Sequence, residues 1–328
     1  MDTDIKELNE HAKKHAQALF EVKSEIGKVI VGQDNVIERM LIALVADGHV
    51  LIEGVPGLAK TLLVKTISDC LECGFVRLQF TPDILPADIT GTKIYNAKDS
   101  TFKTVKGPIF ANFVLADEIN RAPPKVQSAL LEAMQEEQVS IQGETFELDK
   151  PFFVLATQNP IESEGTYKLP EAQVDRFMFK LIMNYPAREE EKEIIRRFTK
   201  GHNPAAKKII SKSGILEIQK FCKKVYADEK IEDYVSKIVD ATRNPKEYNL
   251  DFDSMIDCGA SPRASIWLIL GAKAHALMQG RGYVLPEDVK EVAHEILRHR
   301  IMLSYEAEAE GKTPDEFIDK ILATVKVP

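Results

Sequence analysis

Residues 49–61 read HVLIEGVPGLAKT, and this stretch decides the fold. Its first five residues, His49–Glu53, form a short and mostly apolar run that predicts a buried β-strand. Glycines follow at positions 54 and 57, and Thr61–Leu71 then has apolar residues at the three- and four-residue spacing of an α-helix. A strand, a glycine-rich loop and a helix in this order let backbone N–H groups and the helix N-terminus surround a phosphate group. The stretch therefore predicts a phosphate-binding loop in an α/β fold.

The residues of this loop have distinct predicted roles. Lys60 would reach the terminal phosphates of a nucleotide, and Thr61 would place its hydroxyl on Mg²⁺. The strict pattern G-x-x-x-x-G-K-[ST] fails at Ala59, where the second glycine belongs. An alanine costs little there if its backbone is right-handed helical, and much if the position needs a positive φ. The predicted nucleotide-binding residues of the loop are Gly54, Val55, Pro56, Gly57, Leu58, Ala59, Lys60 and Thr61.

Two further strands end in polar residues that would lie beside this loop. Phe113–Ala116 is apolar and runs into Asp117 and Glu118. Ligands of α/β folds bind at the carboxyl ends of parallel strands, so Asp117 would hold Mg²⁺ and Glu118 would act as a base or orient a water. Phe152–Thr157 leads to Asn159, whose amide could bind the attacking water or the γ-phosphate, although Asn before Pro is also a common turn former. Together these residues predict nucleotide hydrolysis.

The rest of the chain divides into two parts with different patterns. In the first part, nearly continuous apolar runs predict a parallel sheet covered by helices on both faces. The predicted strands are His49–Glu53, Phe75–Phe80, Phe113–Ala116, Phe152–Thr157 and Phe177–Met183. After Pro186 the patterns are those of charged amphipathic helices: Arg188–Lys200, Ser213–Lys224, Ile231–Arg243, Arg263–Gln279 and Pro286–Ser304. We therefore expect an α/β domain over residues 1–186 and an all-helical domain over residues 187–328.

Two β-hairpins are predicted to interrupt the α/β pattern. Thr92–Asn96 and Phe102–Lys106 would form the first hairpin. Val139–Gln142 and Thr145–Leu148 would form the second, joined by a turn at Gly143-Glu144. Both would be insertions between the strands and helices of the α/β domain.

Composition narrows the range of partners and the location. The chain has 43 Lys and Arg against 51 Asp and Glu, a net charge of −8, which argues against a general nucleic-acid or anionic-membrane binder. Four cysteines in 328 residues suit a reducing compartment better than a disulfide framework. No apolar run approaches the roughly 20 residues of a membrane span, and the N-terminus lacks the pattern of a secretory signal. We expect a cytoplasmic protein.

Longer stretches connect these motifs with a known family. They are Val31-Gly32-Gln33, Gly54–Thr61, Leu85–Gly91, Gly107–Pro124, Ala156–Glu164, Leu169–Phe177, Ala260–Ser265 and Leu297–Arg300. Through them the chain resembles the MoxR family of AAA+ ATPases over nearly its whole length, and an alanine at position 59 is usual in that family. The resemblance implies a P-loop core with five parallel strands in the order 5-1-4-3-2, inserted β-hairpins and an all-α lid.

The resemblance also implies site residues. Lys60 and Thr61 match Walker A, and Asp117 and Glu118 match Walker B. Asn159 matches sensor 1, and Arg263 matches sensor 2, which would reach the nucleotide from the lid. Arg176 matches the arginine finger that enters a neighbouring subunit's site, and Gly32 and Gln33 would lie near the adenine. Gln79, at the end of the second strand, could restrain Glu118. The basic segment Leu297–Arg300 would contact the nucleotide or another subunit.

The function implied by the resemblance is Mg²⁺-dependent ATP hydrolysis by a ring, a hexamer, that remodels or matures partner proteins. Such partners often carry a von Willebrand A domain. Two alternatives stay open. One is a motor acting on nucleic acid, for which Lys93, Lys103 and Lys106 of the hairpins would be the residues to examine. The other is a nucleotide-binding switch with little turnover.

Overall fold

The computed structural model of the chain describes residues 2–55, 57–98, 100–159, 165–199 and 205–328. Pro56, one of the predicted nucleotide-binding residues, lies outside these ranges, as does part of the stretch Ala156–Glu164. None of the helices in the described part of the chain combines the length and apolar character that crossing a membrane requires.

Strands and helices alternate in the first half of the chain, and helices dominate the second. The strands are β1 Val50–Gly54, β2 Phe75–Gln79, β3 Gly91–Asn96, β4 Thr101–Lys106, β5 Phe113–Asp117, β6 Gln138–Ile141, β7 Glu144–Glu147, β8 Phe153–Gln158, β9 Phe179–Met183, β10 Ile256–Cys258 and β11 Met302–Leu303. The helices are α1 Asp2–Val29, α2 Asp34–Val45, α3 Lys60–Cys70, α4 Pro86–Thr90, α5 Pro124–Glu136, α6 Glu171–Val174, α7 Arg188–Thr199, α8 Lys212–Lys224, α9 Glu229–Ala241, α10 Pro262–Met278, α11 Pro286–Leu297, α12 Tyr305–Ala309 and α13 Pro314–Thr324. Short 3₁₀ helices cover Pro108–Phe110, Ile119–Arg121, Pro245–Tyr248 and Asp253–Met255.

Five strands form one parallel sheet in the order β2-β5-β8-β1-β9. Numbered along the chain and read from the β9 edge, this order is 5-1-4-3-2, so the expected order is confirmed. The four apolar residues of β5, Phe113–Ala116, are 0% exposed, as continuous apolar strands covered on both faces should be. Because the strands are parallel, Gly54, Asp117 and Gln158 end β1, β5 and β8 at the same edge of the sheet.

Both predicted hairpins are present as separate two-stranded antiparallel sheets. β3 pairs with β4 from Gly91↔Lys106 to Asn96↔Thr101, and β6 pairs with β7. The turn of the second hairpin lies one residue earlier than predicted. Its two central residues are Gln142 and Gly143, with φ of 46° and 86°, as a two-residue type I′ connection requires.

The second half of the chain is a helical lid that departs slightly from the all-helical expectation. β10 and β11 pair as a short antiparallel ribbon. The helix predicted over Pro286–Ser304 ends at Leu297 instead, because the backbone turns at residues 298–300 and then enters β11. The Arg300 side chain accounts for this turn, since it is buried in hydrogen bonds to another segment of the chain.

The lid and the α/β part share a hydrophobic core. Helix α10 of the lid packs against α1 and α2, and apolar residues of α2 and α10 belong to one buried cluster that also includes β1. Leu41 and Leu44 of α2 and Leu268 and Ala272 of α10 are at most 1% exposed. The domain boundary near residue 186 stays a prediction.

Candidate active site

The loop between β1 and α3 has an unusual backbone. Gly57 has a φ of 88°, and Ala59, just before the helix, has φ 55° and ψ 26°. Ala59 is therefore in the left-handed region, where an L-residue is strained. Of the two backbone conformations considered for this position, right-handed helical and positive φ, the structure has the second, which is unfavourable for alanine. Lys60 begins the helix, and its ammonium donates to the Gly54 carbonyl oxygen at 2.7 Å.

A polar cavity of about 380 Å³ lies in front of this loop. It brings together residues from the ends of β1, β5 and β8 and one residue of β2. The lining residues are Gly54, Gly57, Leu58, Ala59, Lys60, Thr61, Arg77, Asp117, Glu118, Thr157 and Asn159. We call it the phosphate cavity. Of the described loop residues that were predicted to bind nucleotide, Val55 does not line it and packs against the core instead.

The phosphate cavity holds charged groups of both signs. Partial burial lowers the pKa of Lys60, and the carboxylates of Asp117 and Glu118 oppose this effect. The cavity thus holds one ammonium and two carboxylates close enough to influence one another. A site of this kind can bind a phosphate group and a cation side by side.

Asp117 and Glu118 are held by hydrogen bonds from neighbouring strands. The Thr157 hydroxyl donates to Asp117 Oδ1 at 2.6 Å, and Arg77 donates to Asp117 Oδ2 through Nη2 at 2.6 Å and Nε at 3.0 Å. Gln79 Nε2 donates to Glu118 Oε2 at 2.8 Å, and Arg121 Nε lies 3.2 Å from the same oxygen. The contact expected between Gln79 and Glu118 is present, while its restraining role stays a prediction.

Thr61 and Asp117 form a donor set that fits Mg²⁺. Both line the phosphate cavity, one with a hydroxyl and one with a carboxylate. Mg²⁺ prefers oxygen ligands and is usually held by one or two protein groups together with phosphate oxygens and waters. These two side chains and the adjacent loop meet that description.

A smaller, apolar cleft of about 120 Å³ continues from the phosphate cavity. The two share Gly57, Leu58 and Ala59. The other residues of the cleft are Val29, Ile30, Val31, Gln33, Leu62, Pro186, Ile194 and Phe198. The cleft has the apolar lining that a flat aromatic ring system needs, beside a polar cavity for the charged part of the same ligand.

Gly32 and Gln33 lie beside this cleft, and both have a positive φ, 70° and 61°. Gln33 lines the cleft, and its Nε2 donates to the Asn184 carbonyl oxygen at 2.9 Å. A Cβ on Gly32 would lie 2.8 Å from the Glu190 carboxylate, so a larger residue would displace α7 or its side chain.

Arg176 and Arg263 are far from the phosphate cavity of their own chain. They line a different cavity of about 200 Å³, together with Asp47, His49, Met134, Gln135, Glu137 and Trp267. Arg176 precedes β9 whereas the loop follows β1, so the two lie at opposite edges of a parallel sheet, about 17 Å apart for five-residue strands. Arg263 donates to Asp175 Oδ2 at 3.0 Å. The structure thus does not place Arg263 at the phosphate cavity of its own chain, where the match to sensor 2 predicted it.

Comparisons with known proteins agree with this architecture. A model described as "ATPase family associated with various cellular activities (AAA)" matches residues 49–179, and an AAA lid domain model matches residues 250–321. The chain is 51% identical to Chaperone MoxR1 of Mycobacterium tuberculosis over 95% of this chain and 82% of that protein. It is 31% identical to Protein MoxR of Paracoccus denitrificans over 94% of this chain and 96% of that protein. The chain belongs to the MoxR family of AAA+ ATPases.

A solved structure shows the same fold for a relative of this MoxR-family chain. The crystal structure of a candidate ATPase from Cytophaga hutchinsonii superposes with a TM-score of 0.93, at 52% sequence identity and over 99% of both chains. Membership of an AAA+ ATPase family implies nucleotide binding.

Three polar residues of the MoxR-family site were not predicted from the sequence. Arg77 and Thr157 contact Asp117, and Arg121 contacts Glu118. The signal for Arg77 is its spacing from Gln79, because residues two apart in a strand point to the same face. Thr157 is the last residue of a predicted strand, where a polar side chain reaches the ligand edge of the sheet.

Proposed function

We propose that this chain binds ATP with Mg²⁺ in the phosphate cavity and hydrolyses the ATP to ADP and phosphate. The observation that supports this most is the convergence of Lys60, Thr61, Asp117, Glu118 and Asn159 on one cavity that continues into an apolar cleft. The cleft would take the adenine ring and the polar cavity the triphosphate.

The side chains of the cavity have complementary roles in this reaction. The Lys60 ammonium would move from the Gly54 carbonyl to the phosphate oxygens. Glu118 would accept a proton from the attacking water, and the Asn159 amide would orient that water. Thr61 and Asp117 would hold Mg²⁺, which when bound neutralises charge on the phosphate oxygens.

Replacing Glu118 with glutamine tests the hydrolytic role. The change keeps the shape of the side chain and removes its basicity, so we expect the kcat for phosphate release to fall about 10²–10⁴-fold. The affinity for ATP should stay within about threefold of the original, because Lys60 and the loop still bind the phosphates. Glu136→Gln, an exposed change on α5, is the matched control and should alter neither quantity. A normal kcat in Glu118→Gln would remove Glu118 from this role. If the original chain itself shows no turnover, the switch alternative is favoured.

We propose that Arg176 and Arg263 complete the active site of a neighbouring subunit in a ring, with the hexamer as the expected size. Both guanidinium groups share a cavity at the sheet edge opposite the chain's own phosphate cavity. A guanidinium offered to the transferred phosphate from a partner subunit is worth about 10³–10⁵ in rate. The sensor-2 role of Arg263 is therefore proposed toward the neighbour's nucleotide.

Mixing two inactive variants tests this arrangement. Arg176→Ala subunits keep their own Glu118, and Glu118→Gln subunits keep their Arg176. In a random 1:1 ring, half of the subunits have a competent base and half of those have a competent neighbour, so about a quarter of the original activity should return. No recovery at ring-forming concentration would contradict action between subunits.

We further propose that the chain remodels or matures partner proteins, as the name of Chaperone MoxR1 suggests for a relative. The β3–β4 hairpin presents exposed apolar side chains that a polypeptide could cover: Ile94, Tyr95, Phe102 and Val105. Two of the three lysines in its strands are engaged within the chain. Lys93 pairs with Glu144 at 2.8 Å, and Lys106 lies over the Phe110 ring at 4.5 Å. This favours a protein partner over nucleic acid.

A pull-down with Glu118→Gln held in ATP, with and without Phe102→Ser, tests this proposal. We expect one set of partners, with von Willebrand A domain proteins as the first candidates, and loss of that set with Phe102→Ser. ATP hydrolysis that is stimulated by DNA and lost at high salt would favour the nucleic-acid alternative instead. A cytoplasmic location stays a prediction, which fractionation of cells tests.

A further inference from the structure

A buried arginine of the lid binds the segment that carries Arg176. The Arg300 side chain is only 1% exposed. Its Nε donates to Asp175 Oδ1 at 2.7 Å, and its Nη2 donates to the carbonyl oxygens of Asp175 at 2.8 Å and Phe177 at 2.6 Å. Its Nη1 donates to the Met178 carbonyl oxygen at 3.2 Å. These four hydrogen bonds reach residues on both sides of Arg176.

Other lid residues strengthen the same contact. Ser261 and Arg263, at the start of α10, also donate to the Asp175 carboxylate, at 3.0 Å for the closest atom pair of each. His299 Nε2 lies 3.2 Å from the Phe177 carbonyl oxygen. The segment from Asp175 to Met178 is thus attached to two separate parts of the lid.

Arg300 remains charged at neutral pH in spite of its burial. Burial lowers the pKa of its guanidinium to about 10, and the Asp175 carboxylate opposes this effect. A planar guanidinium presents five donors in a fixed fork, so it can bind a carboxylate and several carbonyl oxygens at once. A lysine, with three donors on one nitrogen, cannot reach the same set of acceptors.

We infer that Arg300 is a positioning residue for Arg176: it fixes residues 175–178 to the lid, so that Arg176 is presented to the neighbouring subunit's phosphate in one orientation. This inference rests on the proposed role of Arg176 between subunits. Small errors in the placement of a catalytic group can cost about 10²-fold in rate, which is why a rigid attachment is useful here.

The first test compares Arg300→Lys with Arg298→Lys. Arg298 is on the same turn, but its hydrogen bonds go to Asp315 and the Lys180 carbonyl oxygen of its own chain, outside residues 175–178, and not to the nucleotide or subunit contact expected for Leu297–Arg300. We expect Arg300→Lys to lower kcat at least about tenfold. Its affinity for ATP should stay within about threefold of the original, because the phosphate cavity of the variant subunit is unchanged. Arg298→Lys should keep at least half of the original kcat. Arg300→Lys with unchanged kcat would overturn the inference.

Mixing separates a positioning role from simple damage to the fold. Arg300→Lys subunits mixed with Glu118→Gln subunits should recover activity, because the second variant supplies a well-placed Arg176 to the first. If Arg176→Ala recovers in such a mixture and Arg300→Lys does not, the inference fails while the proposed function stands. If neither recovers, the arrangement between subunits fails first.

Hydrogen exchange gives a readout that does not depend on activity. The amide of Met178 donates to the His49 carbonyl oxygen, and those of Arg176 and Phe177 bond within their own turn. Exchange of a peptide covering residues 176–178 should become at least about tenfold faster in Arg300→Lys and stay unchanged in Arg298→Lys. Equal exchange in both variants would contradict the inference. If Arg300→Lys does not fold, Asp175→Asn removes one charge of the same contact and is expected to give the same results.

Discussion

The strained backbone of Ala59 leads to a prediction whose sign is unusual. Replacing an alanine with glycine normally destabilises a protein, because glycine has more freedom in the unfolded chain, at a cost of about 0.5–1 kcal/mol. Ala59 has a φ of 55°, and a left-handed backbone costs an L-residue about 1–2 kcal/mol. Its side chain is exposed, so little packing is lost with the Cβ. Ala59→Gly should therefore raise the free energy of unfolding by about 0.5–1 kcal/mol.

Thermal and urea unfolding measure this effect. For a chain of this size we expect an increase in Tm of about 1–3 °C. ATP affinity should change less than about threefold, since glycine keeps the N–H groups of the loop in place. The same measurements on Ala59→Val should show destabilisation, because a β-branched residue is poorly tolerated at positive φ.

Ala323→Gly is the matched control. Ala323 is also exposed, but it lies within helix α13, where the same change should lower stability by about 0.5–1 kcal/mol. If Ala→Gly raises the free energy of unfolding at position 59 and lowers it at position 323, the difference follows from the backbone conformation, because the chemical change is the same. If Ala59→Gly destabilises the chain as much as Ala323→Gly, the left-handed conformation of Ala59 is refuted.

Three further predictions concern charge and protonation. Lys60→Ala should weaken ATP binding at least about 100-fold in a fluorescent-nucleotide titration, and unchanged affinity would refute the phosphate-loop assignment. Burial lowers the pKa of His49, whose Nδ1 accepts the Val154 N–H, so the neutral ring is the folded form. Because burial puts the folded pKa below the ordinary 6.5, this contribution to stability is complete well above pH 6.5 and is lost as the pH falls below that value. Urea unfolding at pH 7.5 and 5.5 should show this loss; His49→Gln should remove it and the exposed His11→Gln should not. Gln79→Ala should raise turnover in the absence of partners severalfold, because it removes the hydrogen bond of Gln79 to Glu118 and leaves Arg121 as the remaining contact of that oxygen; turnover at or below the original would contradict restraint by Gln79.

Much of the site could be predicted because its signals are local. The strand, loop and helix around residues 49–61 are contiguous in sequence, and Asp117 and Asn159 follow strands whose apolar character is plain. Parallel strands then bring these ends to one edge of the sheet. The strand order itself came from the family resemblance, since nothing in the individual strands specifies their neighbours.

The parts that escaped prediction depend on contacts between distant segments. Arg77 lies in the edge strand β2, and only the pairing of β2 with β5 places it beside Asp117. The position of Arg263 follows from the docking of α10 on α1 and α2, which places the start of α10 beside Arg176 and not at the chain's own phosphate cavity. Helix α11 ends at Leu297 without a glycine or proline to stop it, because Arg300 finds its hydrogen-bond acceptors some 120 residues earlier in the chain.

The central claim is that one active site combines the phosphate cavity of one subunit with the arginines of the next. Its most direct test is a cryo-electron microscopy structure of the assembled Glu118→Gln variant with ATP. We predict ATP with its phosphates on Lys60 and with Mg²⁺ on Thr61, and Arg176 of the adjacent subunit within hydrogen-bonding distance, about 3 Å, of the γ-phosphate. A γ-phosphate bound away from Lys60, or contacted by Arg176 of its own subunit, would contradict the account.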